Sequence, residues 1–310
     1  MPIRIKRKFS AVLVACTLAA IAPATDVGAT PKAVVVPMFG GATMDTTQPD
    51  GQCMTNQRAI DRLHRLKTVE RLAQTVRTLT TSDCNALMNL IPAAMATGLK
   101  INVTVWAVDT AKFDTEKRHL EDALKSFGAD WLNTVSVGSE SLYQKEIDPN
   151  LLAERILDVK GMVHDAYGHR DVAVGTSEPR TVWADSASDP VVEASDFVGL
   201  TVFPYWEGKP VDEGVTTLKK AIRETRAATS GKPLVVTETG WPSAGPAFGE
   251  AVASLESLER YFNEAVLWLL QQKIPYNWFS GWDEPGRFSE VEKHFGVFLA
   301  DGTAKFQLTR

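Results

Sequence analysis

The chain has 310 residues, enough for one large domain or two ordinary ones. Hydrophobic residues make up 44% and charged residues 23%, which are average values for soluble proteins and exclude a disordered, collagenous or coiled-coil chain. The net charge of −5 does not favour a nucleic-acid-binding protein, because nucleic-acid phosphates require a basic surface. No low-complexity linker divides residues 30–310, so we predict a single domain there.

The amino terminus has the pattern of a secretory signal peptide. Four basic residues between positions 4 and 8 precede an apolar run, Phe9 to Ala22, that is too short to span a bilayer comfortably. Ala22-Pro23-Ala24 fits a cleavage site, so residues 1–24 form the predicted signal peptide, with Ala29 as a later cleavage candidate. We therefore expect a protein secreted to the extracellular space or cell wall. The alternative is an uncleaved membrane anchor.

The predicted secretion bears on the oxidation state of the cysteines. Cys16 leaves with the predicted signal peptide, and Cys53 and Cys84 remain as an even number in an oxidising compartment. A disulfide between Cys53 and Cys84 is the simplest interpretation, and two free buried cysteines are the alternative.

Short β-like runs alternate with amphipathic helical stretches along residues 33–310. Eight runs are found, and they begin at Ala33, Thr75, Lys100, Thr134, Asp171, Asp196, Pro233 and Pro275. Strands that alternate with helices indicate parallel pairing, and eight such units in one chain of this size favour a (β/α)8 barrel, the α/β fold called the TIM barrel.

Two of the intervening helices are well marked. One begins at Asp148-Pro149, a good N-cap and first-turn pair, and buries apolar residues spaced three and four apart as far as Val163. The other runs from Gly249, and its predicted apolar face is Val252, Leu255, Leu258, Phe262, Val266 and Leu269. The last helix is predicted to be short, around Glu290 to His294.

Glutamates close two of the runs: Glu140 ends the fourth and Glu238 ends the seventh. Chemistry in a (β/α)8 barrel takes place at the carboxyl ends of the strands. Two carboxylates on this rim, among aromatic residues, suggest a glycosidase, in which one acid protonates the leaving oxygen and the other carboxylate attacks or activates water.

The surrounding motifs make this more specific. VSVGSESLYQ around Glu140 and VVTETGWPSAG around Glu238 resemble the two active-site motifs of glycoside hydrolase family 17, the β-1,3-glucanases, most closely the fungal and oomycete type. Further blocks of the family are found in the same order at residues 75–94, 196–208, 276–285 and 291–298. The resemblance therefore covers nearly the whole predicted domain.

The resemblance implies a role for each glutamate. Glu140 is expected to be the general acid/base and Glu238 the nucleophile of a double displacement that retains configuration, with carboxyl groups about 5–5.5 Å apart. Glu140 must then be held protonated, and Glu238 ionised. Arg77, in the second run, is our candidate for the cation beside Glu238, because an inward-facing arginine in a barrel needs a carboxylate partner. An outward salt bridge is the alternative for Arg77.

The resemblance also suggests substrate-binding residues. Tyr205 is expected to reach the nucleophile with its hydroxyl, and Ser139 stands where many relatives have an asparagine that bonds the sugar 2-OH. Aromatic rings suit the apolar faces of pyranose rings, although such residues can equally be core residues under loops. The aromatic candidates are Trp206, Trp241, Trp278 and Trp282. Asp283 and Glu284 are expected to bond the sugar or to form structural ion pairs.

Two departures from the family pattern bear on substrate affinity. Leu79 replaces a tyrosine that usually follows the arginine motif, and Gly286-Arg287 replaces a Trp-Lys pair. Neither change affects a catalytic carboxylate.

The mechanism requires no metal and no organic cofactor. His64, His119, His164 and His169 lie in or beside helical stretches without metal-ligand spacing, and we expect them at the surface.

The sequence therefore predicts a secreted retaining enzyme that cleaves internal β-1,3-glucosidic bonds of cell-wall glucan. We expect it to act as a monomer, with no nucleic-acid partner and no membrane association after signal removal. The alternatives are a β-1,3-glucanosyltransferase that uses the same glutamates and a wall-glucan-binding protein with a decayed site.

Overall fold

The computed structural model describes residues 40–47 and 51–308. Eight parallel strands form a closed barrel in sequence order, because β8 pairs with β1. The strands are β1 Gly40–Thr43, β2 Thr75–Thr78, β3 Lys100–Val105, β4 Leu132–Ser139, β5 Ala173–Pro179, β6 Phe197–Thr201, β7 Leu234–Thr239 and β8 Tyr276–Trp278. The predicted (β/α)8 fold is confirmed. The predicted signal peptide and the predicted run at residues 33–39 lie outside the described residues.

Helices follow the strands and surround the barrel. They are α1 Asn56–Lys67, α2 Ala86–Thr97, α3 Thr110–Phe127, α4 Pro149–Gly161, α5 Arg180–Trp183, α6 Asp189–Ala194, α7 Val211–Ala228 and α8 Leu255–Gln271. The two short helices α5 and α6 together occupy the place after β5. In the described residues after β8, the one helical element is a short 3-10 helix, Val291–His294, where the sequence predicted a short segment.

The helix after β4 begins as predicted. The Asp148 side chain accepts a hydrogen bond from the Asn150 amide, and Pro149 occupies the first turn. The helix then changes to a π-helical turn, Met162–Ala166, which buries His164, so the prediction of a surface position for His164 was wrong. The His164 Nε2 lies 2.7 Å from the Val172 carbonyl oxygen, a polar partner that makes its burial tolerable.

The helix after β7 starts later than predicted. Ser254 caps it, since its hydroxyl accepts a hydrogen bond from the Ser257 amide, and the preceding residues form a loop in which Phe248 pairs with Ala251. Val252 and Leu255 are 57% and 45% exposed and do not belong to the buried face. Leu258 and Phe262, within the helix, are buried as predicted.

A polar network lies inside the barrel. The Asn102 side-chain amide donates to the Asn277 side-chain oxygen over 2.9 Å, and the Asn102 oxygen accepts from Asn133 and Thr134 over 2.6 and 2.9 Å. These bonds join β3, β4 and β8 across the interior, because buried amides must find partners within the protein.

Two loops at the carboxyl ends of β1 and β2 are joined covalently. Cys53 and Cys84 form a disulfide, with their Cα atoms 4.8 Å apart. Within residues 40–47 and 51–308, no helix has both the length and the apolar character needed to cross a membrane.

Candidate active site

An open cleft of about 770 Å³ lies at the carboxyl ends of the strands. Both strand-end glutamates, Glu140 and Glu238, line it together with Ser139. The position agrees with the general placement of active sites in (β/α)8 barrels.

Glu140 reaches the cleft because β4 ends irregularly. The pairing of β4 with β5 shifts register between Ser136 and Ser139, and Gly138 has a φ of 82°. Glu140 itself has a φ of 57°, a left-handed conformation that is rare outside glycine and that is found more often at functional sites. Its amide donates to the Ser177 carbonyl over 2.7 Å, which fixes this turn against β5.

Glu238 is held by a cation from the second strand. Arg77 is 1% exposed, and its Nη1 donates to Glu238 Oε1 in an ion pair. The Arg77 Nη2 donates to the Ser139 hydroxyl over 3.2 Å, and that hydroxyl lies 3.4 Å from the same glutamate oxygen. The structure thus places Arg77 inward against a carboxylate, and not in the alternative outward salt bridge.

The two glutamates differ in their electrostatic surroundings. Burial, and after it the negative charge of Glu238, raises the pKa of Glu140 above its ordinary value, while Arg77 has a smaller opposing effect. Among residues 40–47 and 51–308, no cation lies within ion-pair distance of Glu140, whereas Glu238 has Arg77. This arrangement favours a proton on Glu140 and a negative charge on Glu238.

The tyrosine prediction differs from the structure. Tyr205 is 1% exposed, and its hydroxyl donates to the main-chain oxygen of Pro246. The expected bond from Tyr205 to the nucleophile is therefore not formed. The loop after β7 covers this hydroxyl, and a sequence motif does not reveal such a contact across 41 positions.

Only one of the four predicted tryptophans is at the cleft. Trp206 is 39% exposed and lines it. Trp241, Trp278 and Trp282 are at most 1% exposed and belong to the core, so their predicted contact with sugar was wrong. The physical reason is cover by distant segments: Arg62 of α1, for example, lies 5.0 Å from the centre of the Trp282 ring.

Asp283 and Glu284 form ion pairs, which was the alternative prediction for these two residues. Asp283 accepts from Lys305 over 2.6 Å and from the Gly296 amide over 3.0 Å. Glu284 accepts from Arg287 over 2.5 Å. Neither carboxylate lines the cleft. Asp283 is instead covered by Lys305 of the carboxyl-terminal segment, with which it forms an ion pair.

The cleft also contains residues that the sequence analysis missed. Trp106, Tyr143 and Phe248 are 43%, 55% and 46% exposed and line the walls. Trp106 stands near the end of the third predicted run and Tyr143 stands within the Glu140 motif, so both could have been found by counting aromatics at strand ends. Phe248 follows the Glu238 motif in a loop, where no sequence pattern predicts that its side chain lines the cleft.

Both departures from the family pattern lie in the cleft. Leu79 lines it with an apolar side chain, and the Arg287 guanidinium lines it while bonded to Glu284. A cation is therefore retained near the carboxylates despite the change from Trp-Lys to Gly-Arg. In the described part of the chain, no three His, Cys, Asp or Glu side chains are grouped as a metal ion would require.

Comparison with known proteins identifies the family. A family model described as the BtgE/BtgC glycoside hydrolase domain matches residues 41–296. The chain belongs to this glycoside hydrolase family. The prediction of a family 17 enzyme of the fungal type is confirmed by the relatives below.

Relatives and solved structures agree with this assignment. A glucan 1,3-beta-glucosidase of Schizosaccharomyces pombe is 37% identical over 246 residues, which cover 75% of each chain. A crystal structure of a glycoside hydrolase family 17 beta-1,3-glucanosyltransferase from Rhizomucor miehei aligns with a TM-score of 0.79 and 31% identity, over 88% of this chain and 98% of that one. An active-site mutant of the same enzyme, in complex with laminaritriose, aligns with a TM-score of 0.78 and 30% identity, over 88% of this chain and 98% of that one.

Proposed function

We propose that this chain is a retaining glycoside hydrolase that cleaves internal β-1,3-glucosidic bonds of cell-wall glucan, with Glu238 as nucleophile and Glu140 as general acid/base. One observation carries the proposal. Two strand-end glutamates share one open cleft, and a buried arginine pairs with only one of them. A retaining mechanism needs this difference between its two carboxyl groups.

The first step forms a covalent glycosyl-enzyme. Glu238 Oε1 accepts hydrogen bonds from Arg77 and Ser139, which leaves Oε2 to attack the anomeric carbon. Glu140, whose pKa is raised by burial and by the charge of Glu238, gives its proton to the departing glycosidic oxygen, so the leaving sugar departs neutral. The raised pKa of Glu140 serves this step directly.

The second step releases the sugar. Glu140, now a carboxylate, takes a proton from water as the water oxygen attacks the anomeric carbon and the Glu238 ester bond breaks. Bond formation on the face opposite each departing group occurs twice, so the product keeps the β configuration. Arg77 then faces the regenerated Glu238 carboxylate.

The relatives and the cleft support β-1,3-glucan as the substrate. Several relatives are named glucan 1,3-beta-glucosidase and others probable glucan endo-1,3-beta-glucosidase, and an active-site mutant of the Rhizomucor miehei enzyme was solved with laminaritriose. Exposed aromatic rings stand on opposite loops of the cleft, with Trp106 and Tyr143 after β3 and β4, and Trp206 and Phe248 after β6 and β7. Such rings can pack against the apolar faces of several linked glucose units.

Transfer to a sugar acceptor is the second candidate function. The Rhizomucor miehei structures carry the name beta-1,3-glucanosyltransferase and share about a third of their residues with this chain over most of its length. The same two glutamates perform both reactions. The difference is whether water or a sugar hydroxyl attacks the glycosyl-enzyme, which depends on how well the acceptor side excludes water.

The amino-terminal sequence bears on where the enzyme acts in or outside the cell. The pattern of residues 1–24 supports secretion, and the fungal relatives support a substrate in the wall. We further propose that the enzyme acts as a monomer. Light scattering of the mature protein at assay concentration gives one species of about 30 kDa if this is right.

A product time course tests the proposed reaction. The substrate is a β-1,3-gluco-oligosaccharide labelled at its reducing end, incubated with the mature protein and with its Glu238→Ala variant. Shorter products only, absent with the variant, are the expected result and establish hydrolysis. Products longer than the starting sugar establish transfer instead. Binding of the sugar without any product identifies a glucan-binding protein and refutes both enzymatic functions for this substrate.

A further inference from the structure

A third glutamate lies beside the proposed acid and has no role in the two steps above. Glu178 ends the fifth predicted run, and its side chain is completely buried at the end of β5. One carboxylate oxygen accepts from the Leu142 amide over 2.8 Å and the other accepts from the Tyr143 amide over 3.1 Å. Both amides belong to the turn that directly follows Glu140.

This contact fixes the turn that carries Glu140. The Glu140 amide donates to the Ser177 carbonyl, so two adjacent residues of β5 hold the turn, Ser177 at the acid itself and Glu178 at the residues that follow it. The main chain of Glu178 is itself held in place, because Trp183 Nε1 donates to its main-chain oxygen over 3.0 Å. The left-handed φ of Glu140 is therefore maintained by neighbours that are themselves immobilised.

Burial, more than any neighbouring charge, makes Glu178 sensitive to pH. Burial raises the pKa of Glu178 to about 7, against the two amide hydrogen bonds and with a contribution from the charge of Glu140. The strand on its other side, β6, pairs the uncharged Leu200 with it. Arg180, two residues on, bonds to glutamates of other segments instead, namely Glu207 and Glu224. The remaining charged groups of the Glu140 turn, Lys145 and Glu146, are exposed.

We propose that Glu178 is the positioning residue of the general acid: its carboxyl group holds the turn through the Leu142 and Tyr143 amides and so fixes where Glu140 stands in the cleft. This inference rests on the proposed role of Glu140 as acid/base. Loss of these contacts therefore displaces the proton donor and leaves the nucleophile in place.

The oligosaccharide gives the first readout. Glu178→Gln keeps one acceptor oxygen but presents an NH2 group to the other amide, so one of the two contacts with the turn is lost. In Glu178→Gln and in the shorter Glu178→Asp, kcat/KM decreases on this substrate, whose leaving group needs a proton.

The leaving group gives the second readout. With a β-1,3-gluco-oligosaccharide, kcat/KM of Glu178→Gln falls about 10- to 100-fold, part of the contribution that a general acid makes. With dinitrophenyl β-laminaribioside, whose leaving group needs no proton, the fall is less than about threefold. A merely structural residue would lower both activities equally, and that result overturns the proposal.

Glu116 supplies a matched control. It is a completely buried carboxylate that also holds a loop, through bonds from Thr80, Thr81 and Ser82, and no hydrogen bond or ion pair joins it to Glu140. Glu116→Gln is expected to lower the two activities equally. A difference between the leaving groups in Glu116→Gln equal to that in Glu178→Gln contradicts a specific role for Glu178.

A separate variant tests the assignment on which this depends. If Glu140→Gln cleaves the oligosaccharide as fast as the wild type, then Glu140 is not the acid and the proposed function fails, whatever Glu178 does. If Glu140→Gln is inactive on the oligosaccharide but retains dinitrophenyl release, the acid is assigned and the Glu178 variants alone decide the inference.

Discussion

The ends of β4 and β7 offer the same chemical group to one cleft in opposite electrostatic settings. Glu140, at the end of β4, has the buried carboxyl of Glu178 behind it and no cation at ion-pair distance among the described residues. Glu238, at the end of β7, has the buried guanidinium of Arg77. The proposed roles follow this difference: a cation holds the proposed nucleophile, and a carboxyl group that accepts backbone amides holds the turn of the proposed acid.

The comparison shows how a symmetric barrel produces an asymmetric site. Both strands are parallel, both end in the same rim, and both carry a glutamate near the last strand residue. A cation from β2 stabilises the negative charge on one carboxylate, whereas burial and the charge of that carboxylate disfavour a negative charge on the other. A proton donor and a nucleophile can therefore coexist at one pH.

The largest expected effect separates the two glutamates by product stereochemistry. Glu238→Ala and Glu140→Ala each lower kcat on the oligosaccharide by about 10³-fold or more. With dinitrophenyl β-laminaribioside and added azide, Glu238→Ala yields the α-glycosyl azide, because azide attacks the substrate directly. Glu140→Ala yields the β-glycosyl azide, because azide attacks the glycosyl-enzyme. NMR of the products distinguishes them, and exchanged anomers would reverse the assignment.

The second effect concerns the buried ion pair. Arg77→Met leaves Glu238 without its cation, so we expect a loss of about 3 kcal/mol in the free energy of unfolding and a fall in kcat. Adding Glu238→Gln recovers most of that stability, since no unpaired charge then remains. Urea unfolding of the two single variants and the double variant measures the coupling. Additive losses would contradict a direct role of Arg77 in stabilising the Glu238 charge.

A third effect appears in the pH dependence of stability. The folded state raises the pKa of Glu178 from 4.5 to about 7, so its protonated form stabilises the fold fully below pH 4.5, and this contribution is lost as pH rises to about 7. In Glu178→Gln the decline between pH 5 and pH 8 becomes shallower by on the order of 1–3 kcal/mol. Urea unfolding at four pH values measures it. An unchanged slope would mean that Glu178 does not titrate in this range.

The smallest effect tests the backbone at the end of β4. Gly138 has a φ of 82°, and a Cβ there would lie 2.9 Å from the Ser141 hydroxyl oxygen, so Gly138→Ala is expected to cost about 1 kcal/mol and to lower kcat by displacing Glu140. Gly128→Ala is the control, because Gly128 has a φ of 67° with no atom within 4 Å of a Cβ. Both variants lose stability, and only Gly138→Ala loses activity. Equal kcat values would show that this turn tolerates displacement.

The sequence by itself determined the architecture and the two glutamates. Alternation of apolar runs with helical periodicity is a local property, and eight repeats of it admit few arrangements other than a barrel. The carboxyl ends of the strands then meet at one rim, which brings Glu140 and Glu238 together without further information. Arg77 was predictable as the cation of Glu238 because a buried guanidinium in a barrel interior needs a carboxylate.

Only the tertiary structure decided which side chains the substrate can reach. Trp282 and Trp206 both follow strand ends, yet one is covered by α1 and the other is open. Tyr205 bonds to Pro246, and Glu178 bonds to the turn after Glu140, across 41 and about 35 positions of the chain. Such contacts depend on how separate loops pack against each other, and no local period of the sequence encodes that packing.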